Sequence, residues 1–360
     1  MNANFKNAFD SFEYMKTYLF ALAALGLLFA CTPENNGNNG GGQNNQEELT
    51  VTGEVSEITE NSATLTGRTN LPIAVGDAEV GIVYDEERYF EEGKKMVATE
   101  AGENNQFTVT ITGLNFSTTY YYRFIVRKGA AVKYDDEKSF TTKEPPCPEG
   151  AVDFGIVLTR SDGTKYKLFW AKTNLCESGL CAKPEDYGDY YAWGETATKL
   201  SYYWTSYKWG MDETALTKYN TNSSNGVPDN KTILDSGPEG DDVAAKKLSG
   251  KWRMPTEAEW DALCMYCALT WTPNYNGTGV AGRIVTRKIG GNQDNSIFLP
   301  AAGYRLGTEL RSRGTLGFYW SSSLDTDVTP KARSIDFNLE SICQEGNYRY
   351  NGYSVRPVSE

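Results

Sequence analysis

The stretch that decides the first fold runs Gln106-Phe107-Thr108-Val109-Thr110-Ile111-Thr112-Gly113-Leu114-Asn115-Phe116-Ser117-Thr118-Thr119-Tyr120-Tyr121-Tyr122-Arg123-Phe124-Ile125-Val126. Side chains along a strand point to opposite faces in turn. Phe107, Val109 and Ile111 therefore share one face of a first strand, and Tyr120, Tyr122, Phe124 and Val126 one face of the next. Two such faces brought together make the inside of a sandwich. Outward from here the same spacing continues, with strands expected at 49–55, 62–69, 79–84, 106–114, 120–128 and 138–142, separated by turn residues. Short strands at this interval predict an all-β sandwich over residues 49–143.

Leu114-Asn115-Phe116-Ser117-Thr118-Thr119-Tyr120 sharpens that reading. It resembles the tyrosine corner of fibronectin type III domains, in which a Leu precedes the corner Tyr and the hydroxyl bonds back to the backbone. The early strands lack the Trp frequent in that family, so a generic immunoglobulin-like sandwich is the alternative. Either module reads as a spacer, because a fold by itself assigns no function.

Before the sandwich, residues 33–48 read PENNGNNGGGQNNQEE, with no apolar groups to bury, and are expected to be a flexible tether within a 31–48 linker. Before the tether, an uncharged apolar run from Tyr18 to Ala30 follows Lys16 and ends at Leu28-Phe29-Ala30-Cys31. A helix needs about 20 apolar residues to cross a bilayer, so residues 1–30 read as a lipoprotein signal peptide, with Met15 as its start and Cys31 as the lipidated residue. Several acyl chains on one cysteine would hold a membrane firmly. The expected location is the cell envelope, anchored to the outer membrane. Thr32-Pro33-Glu34-Asn35 does not decide between the periplasmic and the outward side.

Net charge is -12, so nucleic acid, which needs a basic face, is not an expected partner. The chain has no histidine. That excludes Ser-His-Asp and Cys-His nucleophile systems and the commonest transition-metal ligand. All cysteines other than Cys31 lie from Cys147 onward, and in an exported chain they are better read as disulfides than as metal ligands.

The stretch Lys143-Glu144-Pro145-Pro146-Cys147-Pro148 marks a stiff junction at 144–149, and a second domain fills 150–360. Two helices are expected there. One begins near Asp241 and runs to Gly250; the other opens with the capping box Thr256-Glu257-Ala258-Glu259 and places Trp260, Leu263, Cys264 and Cys267 on one stripe. Short strands are expected at 297–299, 318–320, 333–337 and 353–358.

Five segments of this domain carry a specific resemblance: Asp186-Tyr187-Gly188-Asp189-Tyr190-Tyr191-Ala192-Trp193-Gly194-Glu195, Trp252-Arg253-Met254-Pro255-Thr256, Ile297-Phe298-Leu299-Pro300-Ala301-Ala302-Gly303-Tyr304, Tyr319-Trp320-Ser321-Ser322-Ser323 and Ser354-Val355-Arg356-Pro357-Val358. Together they resemble the Fibrobacter succinogenes major paralogous domain. The resemblance implies an α+β, C-type-lectin-like fold in exported lipoproteins, so the whole chain is expected to be multidomain, sandwich first and lectin-like domain second. It also implies a distant similarity to formylglycine-generating enzymes, which bind copper through two nearby cysteines late in the chain. Here Cys343 stands alone, and no enzyme is expected. Because the ends of a lectin-like domain lie close together, the resemblance implies a Cys147–Cys343 disulfide. Cys176–Cys181 would close a small loop, and Cys264 and Cys267 read as buried structural sulfur, in a disulfide with each other or paired elsewhere.

Aromatic residues crowd between Tyr187 and Trp209. Tyr202, Tyr203, Trp204, Tyr207 and Trp209 lie outside the tightest motif and are the candidates for stacking on sugar rings. No cofactor is expected; calcium, held by Asp241, Asp242, Asp294, Asn295, Asp325 and Asp327, is the weak exception. Non-enzymatic binding or adhesion to a glycan or a surface protein is the leading functional expectation. A structural subunit of a surface assembly, such as a fimbrial tip, is the second.

Overall fold

The computed structural model describes residues 48–73, 77–90, 96–99, 105–289 and 295–360. The signal peptide, Cys31, nearly all of the tether and Asp294 lie outside the described residues.

The first domain is built from β1 (Val51–Ile58), β2 (Ser62–Thr69), β3 (Glu79–Asp85), β4 (Met96–Thr99), β5 (Gln106–Thr112), β6 (Thr119–Lys128), β7 (Ala131–Tyr134) and β8 (Lys138–Thr141). β1, β2 and β5 form one antiparallel sheet; β4, β3, β6 and β7 form the other, with β8 also paired to β6. The alternating faces read from the sequence meet in one buried core, where the rings of Phe107 and Phe124 pack edge to face at 5.8 Å. β5 stops at Thr112 because Gly113 turns to φ +72°, short of the expected end at Leu114. The tyrosine corner is formed: the Asn115 amide donates to the Tyr120 hydroxyl at 2.8 Å, and that hydroxyl donates to Glu86 Oε1 at 3.2 Å. Burial pushes the Tyr120 hydroxyl up to about 12, so it stays protonated and serves both bonds at once. This is a two-sheet antiparallel β-sandwich with a tyrosine corner.

The junction is tied on both sides. The Lys165 amide donates to Asn115 Oδ1 at 2.9 Å, and Lys167 pairs with Glu144 and, at 2.7 Å, with Asp153.

The second domain continues with β9 (Ala151–Thr159), β10 (Lys165–Ala171), β11 (Leu175–Cys176), β12 (Gly179–Leu180), α1 (Val243–Lys247), α2 (Glu257–Tyr266), β13 (Cys267–Thr272), β14 (Gly282–Arg287), β15 (Ser296–Pro300), β16 (Tyr304–Leu306), β17 (Glu309–Arg311), β18 (Gly317–Leu324), β19 (Lys331–Phe337), β20 (Ile342–Tyr348) and β21 (Val358–Ser359). Three three-stranded sheets, ordered β9–β10–β21, β13–β14–β15 and β18–β19–β20, carry the domain with two small hairpins. Its regular structure is mostly antiparallel sheet, with two short helices and long loops between.

The helices follow their caps. Asp242 accepts the Ala244 and Ala245 amides and starts α1, which ends at Lys247 rather than at Gly250. At α2 the Thr256 hydroxyl accepts the Glu259 amide while the Glu259 carboxylate accepts that of Thr256. Trp260 and Leu263 are then fully buried, Cys267 is buried at the start of β13, and Cys264 is half-buried. The expected strand at 353–358 shrinks to isolated bridges and β21. Pro357 has no amide to give a ladder, and Arg356 turns inward, donating to Asn174 Oδ1, Ala171 O and Phe298 O.

The quoted motifs are the polar framework of this interior. Trp193 Nε1 donates to Ser321 O and Trp320 Nε1 to Tyr191 O, both at 2.8 Å. Arg253 binds the buried Glu259 carboxylate through two bonds of 2.7 and 2.6 Å.

Candidate ligand-binding site

The aromatic-rich loop divides into core and surface. Tyr190, Tyr191 and Trp193 are buried. So are two of the sugar-stacking candidates: Tyr202 donates its hydroxyl to Tyr190 O at 2.6 Å, and Tyr207 to Trp193 O at 2.8 Å. Burial pushes the Tyr202 hydroxyl up to about 12, with the same direction at Tyr207. Both hold the loop down. Trp209 is half-buried, with Nε1 on Gly194 O at 2.6 Å, and its ring is taken by two ammonium groups, Lys208 at 4.1 Å and Lys218 at 4.8 Å. Asp241 in turn pairs with both lysines.

Two candidates remain open. Tyr203 is 50% exposed and lies across Gly307, where a side chain would meet its hydroxyl and where φ is +62°. Trp204 is half-buried in a 3-10 turn, Trp204–Ser206. Its ring meets Tyr207 at 5.7 Å below, and Tyr350 at 5.0 Å and Tyr348 at 6.1 Å beside it. Tyr348 and Tyr350 stack on each other at 5.6 Å and 16°. Tyr348, Tyr350 and Trp204 thus form a continuous aromatic shelf joining the end of β20 to the 202–209 loop.

Sequence reasoning missed Tyr348 and Tyr350. The signal available was Tyr348-Arg349-Tyr350, an alternation in which the central residue turns inward: Arg349 is fully buried, its guanidinium 5.5 Å from the Trp193 ring and 5.8 Å from that of Tyr207. It donates to Lys218 O and Tyr219 O. Arg349 thus lies against Tyr207, the ring on which Trp204 packs. The polar edge of the shelf is Glu213, whose hydrogen bond, with burial second, raises the Tyr348 hydroxyl.

The remaining candidates are dispersed. Cys176 and Cys181 are bridged between β11 and the residue after β12, closing the small loop expected. The Cys147–Cys343 pairing is not made: Cys147 sits at the domain junction beside Pro148 O, whereas Cys343 sits on β20 against Asp336 O. Cys264 and Cys267 are also thiols, and burial raises both, Cys267 to about 11. Among the described residues, the acids named for calcium do not gather. Asp241 pairs with lysines, Asp242 caps α1 and accepts the Met254 amide, and Asp325 accepts the Asp327 and Val328 amides. Among the described residues, no group of three or more Cys, Asp or Glu is placed to hold a metal ion, and no helix is long and apolar enough to cross a membrane.

No protein-family model matches the chain, and no curated protein does. Among solved structures, the chain is similar to the sensor domain of the anti-sigma factor RsgI4 in Pseudobacteroides cellulosolvens, at 19% identity and TM-score 0.22, over 29% of this chain and 80% of that one. It is also similar to the third fibronectin III domain of human KIAA0343 protein, at 11% identity and TM-score 0.20, over 32% and 98%.

Proposed function

We propose that the chain is a lipoprotein of the bacterial cell envelope, held to the outer membrane by acyl chains on Cys31, and that its terminal domain binds a glycan without catalysis. The tether and the sandwich set that domain away from the membrane. In this reading the terminal domain belongs with the Fibrobacter succinogenes major paralogous domains and is C-type-lectin-like, on the strength of the five quoted motifs. The carrying observation is the shelf of Trp204, Tyr348 and Tyr350, three adjacent half-buried rings with Glu213 at their edge. Flat rings with polar edges suit the C-H faces and hydroxyls of a sugar. Burial raises the thiols of Cys264 and Cys267, which works against their use as nucleophiles, and the chain has no histidine to serve as their base; both favour binding over thiol chemistry. A glycan array probed with the detergent-solubilised protein tests this. Selective binding lost in both Trp204→Ala and Tyr350→Ala is expected; binding that survives both would remove the shelf as the site.

A further inference from the structure

The aromatic shelf uses none of the five quoted motifs, and two of them meet at a second surface. Tyr187 and Tyr190 come from the first motif, Ala302 and Gly303 from the third. Gly303 has φ +66°, and a side chain there would meet Arg311 O and the Arg313 amide, so glycine lets the 311–313 segment lie close. The Gly314 amide donates to Ala301 O and the Gly303 amide to Leu316 O, both at 2.7 Å, which pins the turn carrying Arg313. On that turn the Arg313 guanidinium lies 4.7 Å from the centre of the Tyr187 ring and donates through Nη2 to the Tyr190 hydroxyl at 3.2 Å. The guanidinium of Arg305, on β16, lies 5.6 Å from the centre of the Tyr190 ring. Two arginines from different segments thus converge on one buried tyrosine, each held on an aromatic face.

Charge is the second observation. Residues 304–316 hold three arginines and one acid, Glu309, which pairs with Arg311 at 2.8 Å. Arg305 and Arg313 have no carboxylate partner among the described residues. The other acids that approach this surface are engaged. Asp186 accepts the Lys183 amide at 2.9 Å, Asp189 the Glu177 amide at 2.7 Å, and Glu195 pairs with Lys199 at 2.8 Å. Burial raises the Tyr190 hydroxyl, and the pull against it comes from Arg313 and then Arg305. In a chain of net charge -12, this is a local excess of cations. Arg313 is exposed and Arg305 half-buried, which leaves both open to a ligand. The surface also runs into the shelf. Tyr203, next to Trp204, is 50% exposed and lies across Gly307, two residues beyond Arg305. Trp204 and Tyr350 of the shelf, and Tyr187 beneath Arg313, pack against one core that includes Tyr190, Tyr202 and Tyr207.

We propose that Arg305 and Arg313 form an anion subsite for an acidic saccharide, holding its carboxylate or sulfate group while a neighbouring sugar ring lies on the shelf. This rests on the glycan reading above and narrows it from any saccharide to one that carries such a group. The guanidinium fork meets either group with two parallel N–H bonds. The rings beneath the two arginines already restrict their side chains, so less freedom is lost on binding.

The test titrates the full chain in detergent micelles with two pairs of probes: tetragalacturonate and its methyl ester, and a κ-carrageenan tetrasaccharide and its desulfated form. Within at least one pair the charged member is expected to bind tighter by about tenfold or more, and to weaken as salt rises while the neutral member does not. The pair that shows the preference tells carboxylate from sulfate. Arg305→Gln with Arg313→Gln should abolish the preference and leave the neutral affinity unchanged; Arg313→Gln alone, at an exposed position, serves if the double variant lowers the melting temperature. Equal binding of charged and neutral members in both pairs, a preference that survives the arginine variants, or no charged probe bound at millimolar concentration would each overturn the proposal. The glycan shelf fails separately. Equal binding lost in Trp204→Ala would keep the shelf and remove the subsite, whereas an arginine-dependent preference indifferent to Trp204→Ala would keep the subsite and remove the shelf.

Discussion

Trp204 and Tyr350 meet edge to face with their ring centroids 5.0 Å apart, joining a loop ahead of α1 to the residues after β20. If this pair is a binding surface, its two rings and a neighbouring buried ring must respond differently to substitution. Trp204→Ala is expected to lower glycan affinity by about tenfold, or about 1.4 kcal/mol. Tyr202→Phe removes a buried bond to Tyr190 O and should cost about 1 kcal/mol of stability, with glycan affinity unchanged. Calorimetric titration alongside thermal melts separates the two; a Tyr202→Phe protein that loses affinity as Trp204→Ala does would mean the loop binds as one unit.

That division was only half legible in the sequence. The sandwich was readable because period-two alternation reports directly which face of a strand is buried, as at Phe107, Val109 and Ile111. β4 and β7, four residues each, are too short to show a period. Aromatic density between Tyr202 and Trp209 marked the loop that carries Trp204, but density carries no direction. Tyr202 and Tyr207 turn inward to satisfy loop carbonyls, and Trp209 is covered by its neighbour Lys208 and by Lys218, which the fold brings near. The expected Cys147–Cys343 bridge treated closeness of chain ends as closeness of thiols, and the junction and β20 place them apart.

Arg253 and Glu259 offer a test of the motif's structural role. Burial, the largest single influence, would raise the Glu259 carboxyl, but the bonds and charge of Arg253 together with the Thr256 amide and the Tyr166 hydroxyl hold it below its ordinary value. Arg253→Met leaves a buried carboxylate unpaired and should cost about 3–5 kcal/mol, whereas Arg253→Met with Glu259→Met should recover most of it. The pair's stability is present above the unfolded carboxyl value of about 4.3 and lost as pH falls through the lower folded value. Urea melts of the cycle decide; a double variant as unstable as the single would show that the ion pair is not what the motif holds in place.

Asp336 acts with the opposite sign. Burial first, with Glu345 adding to it, pushes its carboxyl to about 7 against the pull of Ser334 and Asn347, and burial likewise takes Asp242 to about 6. Between about 4 and these values the folded chain keeps protons that the unfolded chain releases. Stability should therefore fall as pH rises from about 4 to 7, and Asp336→Asn should flatten part of that slope. Denaturation midpoints at closely spaced pH values measure it, and an unaltered slope in Asp336→Asn would place the titration elsewhere.

Peptide mapping without reductant should find Cys176 linked to Cys181 and should find Cys147, Cys264, Cys267 and Cys343 alkylated. Closing so small a loop contributes about 2 kcal/mol in the chain-entropy account. The double change Cys176→Ser with Cys181→Ser is expected to lower stability by that amount and to leave the aromatic shelf intact. A linked Cys147–Cys343 peptide would show that β20 and the junction come together in solution.

If Cys31 carries the proposed acyl chains, it is the residue that holds the aromatic shelf at a membrane. An acyl chain gains about 0.8 kcal/mol for each methylene buried, so a single chain holds marginally and several hold firmly. The tether adds nothing to that hold: residues 33–48 are rich in Asn, Gly and Gln and have no apolar groups with which to enter a bilayer. Nor does a described helix span one. On the proposed reading, membrane affinity passes through the Cys31 sulfur. Cys31→Ser should move the protein from the detergent phase to the aqueous phase in Triton X-114 partitioning, while glycan binding per molecule stays the same because the shelf belongs to the terminal domain. If the unaltered and Cys31→Ser proteins partition alike, the lipid anchor is wrong, and the tether would need another explanation.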